Sequence, residues 1–124
     1  MNNSERLFKK SIKLFPGGVN SPVRYYSPYP IFIKRGYGSK IYDVDGNEYL
    51  DFLLAFGPMI LGHSHPKVLN AIKKRLENGT LFGIPTEEEI KLAELIKKSS
   101  TIDMMRFVNS VSEATLHALR LSLF

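Results

Sequence analysis

Met104-Met105-Arg106-Phe107-Val108-Asn109-Ser110-Val111-Ser112-Glu113-Ala114-Thr115-Leu116-His117-Ala118-Leu119-Arg120-Leu121 is the stretch on which the fold turns. A mostly apolar run from Met105 to Val108, with Arg106 inside it, reads as a buried-type strand and ends in Asn109-Ser110. A helical pattern starts at once, with Ser110 and Glu113 spaced as a capping box. The orphan N–H groups and the positive dipole end at such a junction favour an anion, so Ser110 to Ser112 are a candidate phosphate cradle. A plain helix cap is the other reading of the same residues. A lone strand also needs neighbours, since its backbone groups would otherwise be orphaned. A parallel α/β sheet would supply them, and its other strands are not in this sequence. The expected class is therefore α/β, α+β as far as the chain runs, with the chain an incomplete portion of the whole.

Working back from this stretch, Thr86 and Glu89 form a second capping box at the head of a helix whose first turn holds Glu87, Glu88 and Glu89. The helix dipole explains those three acids without acid–base chemistry, and Lys97 and Lys98 close the helix on the same logic. Pro66 suits the first position of another helix, with Val68, Leu69, Ile72 and Leu76 as its apolar stripe and Gly79 as its C-terminal stop. Asp45-Gly46-Asn47 lies between Lys40–Val44 and Glu48–Phe52, a hairpin signal, and with Ile31-Phe32-Ile33 it predicts a three-stranded antiparallel meander. Ser4 is the expected N-cap of a first helix running to about Phe15, where Pro16-Gly17-Gly18 stops it. Residues 17–30 then form a proline- and glycine-rich loop long enough to suspect function. These elements predict a helix, loop and meander segment over 1–60 and the start of a large cofactor-binding domain over 61–124.

Composition narrows the function classes. With 124 residues, 44% hydrophobic and 23% charged, the chain reads as one ordinary globular piece. No apolar run reaches membrane-spanning length and the N-terminus lacks a signal-peptide core, so a cytoplasmic protein is expected. The absence of cysteine removes disulfides, thiolate zinc sites and thiol catalysis. The net charge of +5 comes from dispersed basic pairs, which read as solvated helix faces rather than a nucleic-acid patch. His63 and His65 tempt a zinc reading, but with no carboxylate at helical spacing on the same element they read as turn and capping residues, and no metal is expected. Tyr25, Tyr26 and Tyr29 crowd one loop, where they serve aromatic packing, a dimer contact or a site wall.

Several segments, in order along nearly the whole chain, resemble the glutamate-1-semialdehyde 2,1-aminomutase family of class III pyridoxal-phosphate enzymes. They are Phe15–Arg24 (Phe-Pro-Gly-Gly-Val-Asn-Ser-Pro-Val-Arg), Ile41–Tyr49, Gly57–His63, Gly79–Glu87 and Arg106–Ser110. The resemblance implies a fold-type I homodimer with pyridoxal 5'-phosphate, moving an amino group within glutamate-1-semialdehyde to give 5-aminolevulinate for porphyrin biosynthesis. It implies that Ser21 and Arg24 meet the substrate carboxylate, that Phe56 stands where the family usually has a tryptophan, and that Ser110, Val111 and Ser112 meet the cofactor phosphate. It also implies that the family's Schiff-base lysine lies beyond residue 124, so no catalytic residue is assigned and the piece alone is expected to be inactive. The phosphate turn reads Ser110-Val111-Ser112-Glu113-Ala114 where the family has Ser-Gly-Thr-Glu-Ala, Leu81 replaces a serine, and Leu121–Phe124 leaves the pattern. The alternatives are another class III aminotransferase, a non-catalytic interaction module, and a small basic nucleic-acid binder.

Overall fold

A computed structural model describes residues 1–123; the departure expected at Phe124 lies outside the described residues. The chain divides into two units, Met1–Gly79 and a second from Thr80 onward.

The first unit opens with helix α1 (Asn3–Ser11), whose cap is Asn2 and not Ser4: the Asn2 side chain accepts the Glu5 N–H at 2.8 Å. Two orphan amides of the first turn, Asn3 and Ser4, donate instead to the Asp45 carboxylate at 2.7 and 3.0 Å. Ser4 is thereby drawn inside, at 1% exposure. The helix ends at Ser11, short of Phe15, because the next residues tighten into i→i+3 bonds such as Leu14 N–H to Ser11 C=O.

The meander forms as strands β1 (Ile33–Tyr37), β2 (Lys40–Asp43) and β3 (Glu48–Leu50), all antiparallel. The first strand starts at Ile33 rather than spanning Ile31 to Ile33. Pro30 has no amide proton, Ile31 donates to the Tyr26 hydroxyl and Phe32 to Ser4 Oγ, so these donors are spent before the ladder begins. Ile41 pairs Gly36 on one side and Tyr49 on the other, with a bulge between Ile33 and Arg35. Arg35 lies 3.6 Å over the Tyr42 ring. The expected hairpin is closed by Asp43, buried at 3% exposure. Its carboxylate accepts from the Asp45 and Asn47 N–H groups, the Asn47 side chain and the Tyr49 hydroxyl. Burial pushes the Asp43 carboxyl up, but those bonds outweigh it and hold it below the usual carboxylate range. Helix α2 (Pro66–Leu76) starts on its proline and is closed beyond Glu77 by Gly79, in the left-handed region at φ +84°.

In the second unit, helix α3 (Glu87–Lys98) carries the expected capping box, with Thr86 N–H donating to Glu89 Oε1 at 3.0 Å. Helix α4 (Val111–Ser122) is capped by Ser110, whose Oγ accepts the Glu113 N–H at 3.2 Å. The reciprocal arm is displaced by one residue: the Glu113 carboxylate takes the Asn109 N–H at 3.0 Å. Met105–Val108 is not a strand, because no neighbour is present to complete a ladder with it among the described residues. No helix among the described residues is long and apolar enough to cross a membrane.

Among the described residues no aliphatic or aromatic side chain but the Pro30 ring is buried; the buried residues are Ser4, Ser11, Gly18, Pro30 and Asp43. The stripe of α2 stays open, with Ile72 at 51% and Leu76 at 56%, and so does that of α4, with Leu119 at 60%. These amphipathic faces are formed but uncovered.

Candidate functional site

In the first unit, Pro16–Gly18 and Pro22–Arg24 make two tight turns that fold the proline-rich loop back beside α1. Ser11 Oγ donates to the Gly18 carbonyl, and Gly18 lies so close to Phe8 that a Cβ there would come within 2.5 Å of its ring. The loop walls a groove of about 690 Å³. Arg24 and Phe56 both line it, in company with Phe15, Tyr26 and Phe32. An apolar, aromatic groove with one guanidinium suits a small molecule with a carboxylate at one end. Arg24 has no carboxylate partner among the described residues, so its fork is available to a ligand. Ser21 is half-buried just outside the lining, and its carbonyl accepts the Arg24 N–H at 3.0 Å, so it shapes the turn that carries Arg24.

Phe56 reaches the groove from a turn that has no sequence signature. Leu54, Ala55 and Phe56 all sit at positive φ (50°, 52° and 66°), a run that side-chain-bearing residues seldom adopt. The turn is fastened from below by Asp51. Its Oδ1 accepts the N–H groups of Leu53 and Leu54 at 2.8 and 3.1 Å, and its Oδ2 lies 2.7 Å from His63 Nε2. The His63 hydrogen bond, then that from the Leu54 amide, hold the Asp51 carboxyl below its ordinary range. His63 is thus more than a turn residue, and the carboxylate it meets lies on another element altogether. His65 takes the N-cap position of α2 but makes no capping bond with its side chain.

In the second unit, Ser110, Val111 and Ser112 surround the start of α4. The Val111 and Ser112 amides and the Ser112 hydroxyl have no acceptor or donor partner among the described residues, which leaves a small set of donors at the positive end of the helix. Val111 lies in the helix at an ordinary right-handed backbone angle, so valine is held there without strain, and its side chain is 83% exposed. The donor set fits the phosphate of pyridoxal phosphate. A second hollow of about 600 Å³ lies along the flank of α4, lined by Arg106, His117 and Arg120, and includes none of the cradle residues. The structure therefore brings Arg24 and Phe56 to one groove and Ser110–Ser112 to one helix end, in separate units.

Known proteins share this arrangement of segments. Residues 22–124 match the family described as aminotransferase class-III. The chain is 58% identical over 121 residues to the glutamate-1-semialdehyde 2,1-aminomutase of Thermoplasma volcanium, across 97% of this chain and 29% of that protein. Among solved structures it resembles an omega-transaminase from Sphaerobacter thermophilus, at 37% identity and a TM-score of 0.92, covering 96% of this chain and 27% of the other. It also resembles a transaminase with PLP bound, at 36% identity and a TM-score of 0.90, covering 94% of this chain and 28% of the other. The chain thus spans about 29% of the length of the curated relative it matches.

Proposed function

The chain belongs to the class-III aminotransferase family, and on that premise we propose that it carries the substrate-carboxylate and phosphate-holding segments of a pyridoxal-phosphate-dependent glutamate-1-semialdehyde 2,1-aminomutase. The observation that carries this reading is the groove shared by Arg24 and Phe56, in a chain so close in sequence to a curated aminomutase. Arg24 pairs the substrate carboxylate through its planar fork, and the turn at Ser21 aims it. Phe56 and the neighbouring aromatic rings shape the apolar wall and exclude water. The Val111 and Ser112 amides and the Ser112 hydroxyl hold the cofactor phosphate, with the helix dipole favouring its charge. Val111 narrows the approach that a glycine would leave open. When bound, pyridoxal phosphate supplies the carbonyl that carries the amino group while it moves within the substrate.

A homodimer belongs to this reading, in the cytoplasm. Its support is physical: the apolar stripes of α2, α3 and α4 are uncovered in this chain, and faces of that kind are buried against further protein. In this reading residues 1–60 are the entry segment and 61–124 the opening of the large domain.

The similarity to the Sphaerobacter omega-transaminase favours a second reading, an aminotransferase that takes ω-amino donors. Fragment complementation separates the two. This chain, co-expressed with the segment of the Thermoplasma volcanium aminomutase that lies beyond the matched region, should restore conversion of glutamate-1-semialdehyde to 5-aminolevulinate. Arg24→Ala should abolish it, chiefly through KM. Turnover of ω-amino donors in preference to the semialdehyde would transfer the chain to the second reading.

A further inference from the structure

We propose that Asp51 and His63 are a positioning pair that holds the left-handed turn Leu54–Phe56, and that Gly36 and Gly62 are glycines so that this pair can close. The turn has three successive side-chain-bearing residues at positive φ, an arrangement that persists only where its surroundings over-determine it. The surroundings here are specific. One Asp51 oxygen accepts the Leu53 and Leu54 amides, the other meets His63, and the turn's own bonds, Phe56 N–H to Leu53 C=O and Gly57 N–H to Leu54 C=O, complete it.

His63 is in turn fixed to the sheet. Its N–H and C=O exchange hydrogen bonds with Gly38 at 2.8 and 2.9 Å, and Ser64 Oγ donates to the Gly36 carbonyl at 2.9 Å. The imidazole lies against Gly36, where an added Cβ would stand 2.5 Å from His63 Cγ and 2.8 Å from Nδ1. At Gly62, a Cβ would meet the Gly38 carbonyl oxygen at 2.6 Å on a backbone at φ +73°. The sheet, the bridge, the imidazole and the carboxylate thus form one chain of contacts from Gly36 to Phe56. The Asp51 side chain is 6% exposed and that of His63 23%, so the carboxylate–imidazole contact itself is shielded from solvent, while Phe56 at the end of the chain is 60% exposed. That the pair thereby sets where Phe56 stands beside Arg24, and so which substrates fit, rests on the proposed function; that it holds the turn does not.

The test uses the whole 124-residue chain with Phe56→Trp, which introduces its single tryptophan. Asp51→Ala should make the introduced indole more accessible to acrylamide and speed amide exchange at Leu53 and Leu54 roughly tenfold. Asp51→Asn keeps the acceptor oxygen and should restore most of both signals. His63→Gln and Gly36→Ala should loosen the same two amides while the amides of the β1–β2–β3 sheet keep their protection. If Asp51→Ala releases the whole sheet, His63→Gln and Gly36→Ala decide, and loosening confined to the turn supports the pair. Unchanged exchange at Leu53 and Leu54, no rescue by Asp51→Asn, or sheet-wide loss in all variants would overturn it. The complementation assay reads the functional clause separately: Asp51→Ala should raise KM for the semialdehyde with kcat little changed. Failure of complementation itself would sink the proposed function while leaving the exchange result standing.

Discussion

The two units obtain their order in opposite ways. In the first, polar groups far apart in sequence are tied together: the Asp45 carboxylate holds amides 41 and 42 residues away, and Ser64 reaches back 28 residues to Gly36. In the second, the hydrogen bonds described stay within a few residues, mostly in single helices and their ends: Thr86 with Glu89, Ser110 with Glu113, Thr115 with Val111, and Lys97 with the Asp103 carbonyl just past α3. Pro30 aside, neither unit buries a hydrophobic side chain among the described residues. The difference teaches that a carboxylate which collects amides from a distant element can specify tertiary structure where an apolar core is absent, whereas capped helices without such ties have only local reasons to form.

Acid is the most forceful way to break the comparison. Asp43, Asp45 and Asp51 are all held below the ordinary carboxylate range by hydrogen bonds in the first unit. A depressed native value means that the stabilisation is fully present above the unfolded value and is lost as pH falls through the native one. Amide protection in the hairpin and in the Leu53–Leu54 turn, corrected for the intrinsic pH dependence of exchange, should therefore be constant from pH 7 down to about 4 and fall steeply below it. Helix α3 has one carboxylate held low, Glu87 beside Lys91, but that pair is exposed, so by the same method α3 should show at most a small step and α4 no comparable one. A step shared equally by both units would erase the distinction.

Gly62→Val should come next. It puts a branched side chain on a left-handed backbone and against the Gly38 carbonyl, at an expected cost on the order of 3 kcal/mol in urea melts of the sheet. The Gly38–His63 bridge should be lost with it. Ser110→Ala removes the α4 cap and should cost about 1 kcal/mol, read as lowered helicity at residues 111–115 alone.

The same contrast explains what can be read in advance. The capping residues Thr86 and Ser110, Pro66 at a helix start and the Asp-Gly hairpin are legible because each acts within a few residues of itself. Asn2 displacing Ser4 as cap is not, because the choice is made by Asp45, some forty residues downstream. The strand expected at Met105–Val108 needs a partner that no local pattern supplies. For the site, Arg24 and Phe56 are reached only through family resemblance; their shared groove is a product of the meander's placement. Asp51 and His63 escape notice because a pair twelve residues apart on different elements has no period to betray it. The nearest signal is the density of glycines around them.

Val111→Gly is the subtlest test, and it asks whether the second unit responds only locally. Val111 is exposed and already at a helical backbone angle, so the substitution relieves no strain. It removes a side chain and adds backbone freedom at the first helical position, where the cost should stay near ~0.5 kcal/mol or below. Against that loss, a phosphate gains a closer approach to the Ser112 amide. Titration of the chain with inorganic phosphate should then shift the amide resonances of residues 111–113 at lower concentration in Val111→Gly than in the parent, with the first unit's resonances unmoved. If the glycine variant binds phosphate no better, the valine is not what narrows the cradle, and the Glu113 carboxylate, drawn across the turn to the Asn109 amide, becomes the group that limits anion approach.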